Sequence, residues 1–125
     1  MKLKLFAFAL LFAAEAASAQ SMNAEQFHRR ATALQQKGML AVFSRGEINA
    51  LMGEAQAAGK RAADIRRAAA KAGQPPRFCP PEGGFSMDNK EFMARLSAIP
   101  AAERARIDMT EASTRMFAAK FPCRA

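Results

Sequence analysis

A chain of 125 residues, half of them hydrophobic and with a formal net charge of +8, suffices for one domain with a modest core and is short for two. It is too apolar for a disordered segment. With a single valine, no tyrosine and no tryptophan, it carries almost no strand signal, so a β-sandwich or a doubly wound sheet is excluded.

The chain opens on a basic "MKLK", an apolar run "LFAFALLFAA" and the small-residue triplet Ala17-Ser18-Ala19. That order is the pattern of a secretory signal peptide at residues 1–19, cleaved before Gln20; the apolar run is too short to span a bilayer. No cysteine stands at the cut, so lipid attachment is not expected. The expected product is a periplasmic protein with no membrane span, whose residues 20–125 form a single helical domain. Outside the cytosol the basic balance points to anionic envelope polymers or an acidic protein partner rather than nucleic acid.

Helical periodicity dominates residues 20–125. A first helix is expected after the cap Asn23, with Phe27, Ala31 and Leu34 on its apolar stripe and Gly38 as its stop. "GMLAVF" continues apolar, as a further turn or a buried connector. Ser44 and Glu47 have capping-box spacing and open a second helix. Its apolar face runs through Ile48, Leu51, Met52, Ala55, Ala58, Ala62, Ile65 and Ala69. Gly53 and Gly59 weaken it unless they permit close packing. Lys60, Arg61, Arg66, Arg67 and Lys71 make its far end a basic face.

"GQPPRFCPPEGGFS" then breaks the helical pattern and forms one long, exposed Pro/Gly loop. Ser86 or Asp88 caps a third helix carrying Phe92, Leu96 and Ile99. Pro100 suits the first turn of the next element, and the last helix is expected to break near Asp108. The expected fold is all-α: a small four- to five-helix bundle.

The two cysteines, Cys79 and Cys123, each stand beside a proline and close to a phenylalanine. In an oxidising compartment such a pair in a small domain reads as a structural disulfide. Closing the loop between them stabilises the fold by roughly 4 kcal/mol, and the flanking phenylalanines are placed to shield the sulfurs. A redox or metal-binding thiol pair prefers close spacing such as C-x-x-C, which is missing.

Other chemistry finds little support. His28 is the only histidine; Glu25-x-x-His28 matches half of a bundle-type di-iron motif, but no second half follows, and an exposed helical histidine is expected. The pairs Asp88/Glu91 and Asp108/Glu111 stand where helices begin and read as caps. Met109 and Met116 share one face at core spacing, without the clustering of a copper site. No nucleophile elbow and no phosphate loop is present. The expectation is a non-enzyme with no cofactor and no metal.

Residues 77–123 carry a resemblance. "FCPPEG", the "L-x-x-I-P" helix end from Leu96 to Pro100, the stretch "AAERARID", an alanine-rich helix and the closing "FPC" resemble the C-terminal half of the Tai-like family. Those are exported, all-helical immunity proteins that block amidase effectors delivered by type VI secretion, enzymes that cut peptidoglycan. The preceding helix, "LMGEAQAAGKRAADI", lacks the family's further cysteine and "GY"-type motif.

The resemblance implies a protein partner, a cell-wall amidase; the constrained, protruding loop Pro80, Pro81, Glu82, Gly83, Gly84 and Phe85 is the expected contact, with Phe85 and its neighbours inserted into the partner's cleft. A homodimer is left open. The alternative is an envelope-stress or chaperone-like protein contacting anionic polymers through its basic helix face.

Overall fold

The structure is a computed structural model that describes residues 21–124; the expected signal peptide lies outside the described residues. Five α-helices succeed one another: α1 (Ala24–Lys37), α2 (Arg45–Lys71), α3 (Asn89–Ala98), the single turn α4 (Ala101–Arg104) and α5 (Met109–Lys120). A 3-10 stretch (Gly38–Ser44) joins α1 to α2. Among the described residues the one extended pairing is an antiparallel bridge between Asn23 and Asp108. The chain is the expected all-α bundle with one disulfide.

Caps explain most helix boundaries. The Asn23 side chain accepts the N–H groups of Glu25 and Gln26 at 3.0 and 3.1 Å, and α1 ends at Gly38, whose φ of +54° favours glycine. Asp88 and Asp108 open α3 and α5, each accepting the N–H three residues on at 2.8 Å. Both acidic pairs therefore include a capping aspartate. Pro100 stands just before α4 as its cap residue, and the break at Asp108 separates α4 from α5 as expected.

The Ser44–Glu47 capping box does not form. The 3-10 stretch runs directly into α2, so Ser44 makes no capping bond and instead accepts from Lys37 Nζ at 3.1 Å. Glu47 is held by Arg30 through two bonds of 2.6 and 2.7 Å. Nor is "GMLAVF" a buried connector. It is a helical turn whose Met39 and Phe43 are 93% and 85% exposed.

The core gathers around α5, where Met109, Ala112, Ser113, Thr114, Met116 and Phe117 are all buried. Ala58 and Ala62 of α2 pack into it, and Phe27 of α1, Leu96 of α3 and Ile99 just past the end of α3 complete the apolar interior. Only Leu51, Ala58 and Ala62 of the expected α2 face are buried; Met52 and Ile65 stand exposed. Length is the reason. At 1.5 Å per residue, α2 runs about 40 Å and α5 about 18 Å, so α5 cannot cover the whole stripe.

Backbone stitches fix the entry of the chain: Ala24 N–H donates to the Ile107 carbonyl at 2.9 Å and Met109 N–H to that of Met22 at 2.7 Å. Beside them Arg104, buried on α4, donates to Glu25 at 2.8 Å and to the backbone carbonyls of Ser97 and Ile99. Burial alone would raise the Glu25 carboxyl, but the guanidinium groups of Arg104 and Arg29 hold it below the ordinary carboxylate value.

Candidate functional site

The Pro/Gly loop is built as a fixed wall. Phe78, 2% exposed, drops into the interior against Ala62 and Phe117, its ring 5.3 Å from that of Phe117. Arg77 grips Glu111 of α5 through two bonds of 2.5 and 2.8 Å. Cys79 is bonded to Cys123 with their Cα atoms 5.0 Å apart, and Cys79 N–H donates to the Phe121 carbonyl at 2.8 Å. The expected staple is formed, but its expected shielding is not. Both cysteines are exposed, because Phe78 is committed to the interior and Phe121 to a ring stack with Phe85.

Beyond the staple the chain reverses in a turn. Gly84 N–H donates to the Pro81 carbonyl at 3.3 Å, and Gly83 has the φ of +88° that the third position of a type II turn requires. Phe85 does not project toward a partner. Its ring packs edge-on against Phe117 at 5.0 Å and tilted against Phe121 at 4.6 Å, leaving 37% of the residue exposed. The expected loop Pro80, Pro81, Glu82, Gly83, Gly84 and Phe85 thus comes together as one side of a cleft in its own molecule.

That cleft has a volume of about 1070 Å³, ample for a ligand or an inserted side-chain cluster. Phe27 and Leu34 of α1, Phe92 and Met93 of α3, and Ile48 and Met52 of α2 line it, the Phe27 and Phe92 rings meeting edge to face at 5.8 Å. Its character changes along α2: apolar toward Ile48, basic toward Arg66 and Arg67. Asp64 neutralises Arg67. Among the described residues Arg66 has no carboxylate partner and its Nε, shielded from solvent, has no hydrogen bond; its guanidinium lies 5.7 Å from the Phe78 ring centroid, a cation–π distance. Exposed Glu82, on the loop, is the carboxylate that lines the cleft. Chemically, the arrangement can bury an apolar group and pair its anionic end.

The other expected residues are placed elsewhere. The basic face of α2 is only partly free, since Arg61 turns inward to Thr110 and Ser21, each at 3.0 Å. His28 is half-buried rather than exposed, because its Nε2 meets Ser97 Oγ at 2.9 Å. Burial, then the positive charge of Arg104, lowers its pKa against the opposing pull of Glu25. Met109 and Met116 are core, 0% and 1% exposed. No three His, Cys, Asp or Glu residues converge among the described residues.

Sequence reading missed the cleft and the isolation of Arg66. One signal was present: an apolar stripe on α2 longer than its partner helix leaves apolar surface that α5 cannot seal. No family model, curated protein or solved structure matches the chain.

Proposed function

We propose that this chain is an exported, non-catalytic binding protein that works by capture, taking an apolar, acidic segment of a protein partner into the cleft between α2 and the disulfide-tethered loop. One observation carries the reading: a preformed apolar cleft of about 1070 Å³ ends at a guanidinium, that of Arg66, with no carboxylate of its own among the described residues. An unpaired, partly desolvated cation favours an anionic group brought by the occupant. The rigid wall reduces the ordering cost of binding.

The resemblance of residues 77–123 to Tai-like proteins supplies the candidate partner, a peptidoglycan amidase, whose inhibition would be the physiological task. Here the loop receives rather than inserts. Titration calorimetry with purified peptidoglycan amidases tests both levels. The expected result is binding tighter than micromolar, weakened at least tenfold by Arg66→Glu. Absence of binding to every amidase discards the inhibitor reading; binding that Arg66→Glu leaves unchanged discards the cleft as its seat.

A second reading, contact with anionic envelope polymers, draws on the exposed Lys60 and Lys71 of α2, neither of them ion-paired among the described residues. Retention on lipopolysaccharide that falls steeply with salt supports it; retention indifferent to salt removes it.

A further inference from the structure

The 3-10 stretch between α1 and α2 presents a feature that the capture function leaves unused. Met39, Phe43 and Leu40 are the three most exposed large apolar side chains among the described residues, at 93%, 85% and 66%, and Val42 beside them is 51% exposed. In a 3-10 turn, side chains three apart eclipse, so Met39 stands with Val42 and Leu40 with Phe43 as two ridges of one knuckle. None of the four belongs to either apolar cluster of the interior.

Charge surrounds this knuckle asymmetrically. Lys37 precedes it and Arg45 follows it, both exposed. Neither is ion-paired among the described residues, and Lys37 is bonded only to the Ser44 hydroxyl. The neighbouring carboxylate, Glu47, is already taken by Arg30. Glu47 also feels the charge of Lys37, but as it is bonded to Arg30 the patch is apolar at its crest and net positive at its feet.

Shape and charge select the occupant. A second copy offering its cleft would bring Arg66 against Lys37 and Arg45, like charge against like. An acidic protein would satisfy the charge, yet side chains exposed to this degree project as knobs and form no concavity for a partner's anchor. A deformable anionic phase accepts knobs without prior complementarity. Among the described residues no helix is long and apolar enough to cross a membrane, so contact of this kind stays at the surface.

We propose that the knuckle at residues 39–43 docks the protein reversibly on an anionic phospholipid surface, its four apolar side chains entering the headgroup region while Lys37 and Arg45 meet lipid phosphates. This is independent of what the cleft captures.

Vesicle co-sedimentation of the chain from Gln20 onward, which holds the complete described core, tests it. The expected result is retention on phosphatidylglycerol-containing vesicles and weak retention on phosphatidylcholine alone. Met39→Ser with Phe43→Ser is expected to weaken retention at least about tenfold, and Lys37→Gln with Arg45→Gln about fivefold per charge. Because the protein contains no tryptophan, Phe43→Trp provides a lone reporter whose emission shifts to the blue only with the anionic vesicles.

All of these positions are exposed, so unchanged thermal unfolding verifies that each variant is folded. Retention unaffected by the double serine variant overturns the proposal, as does unshifted tryptophan emission. So does a knuckle variant that dissolves a dimer, or releases an acidic protein, while vesicle retention is absent or unchanged.

Discussion

Along α2, the side turned to α5 is made of Ala58 and Ala62, both closed to solvent, whereas the side turned to the loop carries Ile48, Met52 and Arg66 beside open space. The small residues let two helices approach until nothing fits between them. The larger ones meet a wall held at a distance, because the loop is tied to α5 and its end through Arg77, Phe78 and Cys79 and meets α2 only further along, where Phe78 packs on Ala62 and under Arg66. The contrast separates stability from the proposed recognition. One side supplies the packing that holds the fold; the other keeps surface that packing alone would have closed.

The largest test acts on the anchor. Replacing Cys79 and Cys123 together by serine releases a loop whose ends are 44 residues apart and is expected to lower stability by about 4 kcal/mol in denaturant titrations, with hydrogen exchange rising first at residues 80–85. Equal exchange in both forms would break the contrast. A paired test sets the two sides against each other: Met116→Ala on the sealed side is expected to cost about 3 kcal/mol, and Met52→Ala on the open side less than about 0.5 kcal/mol. Comparable losses would mean that the cleft face also holds the fold.

A smaller change carries the opposite sign. Among the described residues the buried Ser113 hydroxyl has no hydrogen-bond partner, so Ser113→Ala is expected to raise stability by up to about 1 kcal/mol. Finally, His28 titrates below its ordinary value in the folded state, through burial and then Arg104, so the unfolded chain binds its proton first. That contribution is intact above about pH 6.5, the ordinary imidazole value, and is lost as pH falls from there through the folded pKa. His28→Gln is expected to flatten this slope in thermal melts taken across that window. The lowered carboxyl of Glu25 acts in a separate window, its contribution being lost further down, below about pH 4.5.

Much of the bundle was legible because its signals are local. Asn23, Asp88 and Asp108 cap helices by reaching their own next few N–H groups, and Gly38 stops α1 by its own φ. The disulfide was legible from the expected compartment and the cysteine number. What escaped depends on where distant segments meet. Ser44 and Glu47 have the right spacing for a cap, yet Lys37 and Arg30 claim them. Arg104 resembles any other basic residue until the Glu25 carboxylate and two carbonyls surround it. Phe85 was legible as a loop residue but not as part of a stack with Phe117 and Phe121. The cleft is a difference between two helix lengths and one tether, which no short motif encodes.

The sulfur bridge lies on the surface, with both of its cysteines in solvent. A reductant therefore needs no prior unfolding to reach it, and the loop can be unlatched without contact with the alanine seam between α2 and α5. A chain held under reducing conditions would keep a helical hub without a fixed mouth. Under the proposed capture function, competence would then begin with oxidation, and the molecule would be armed by the chemistry of its surroundings rather than by folding alone.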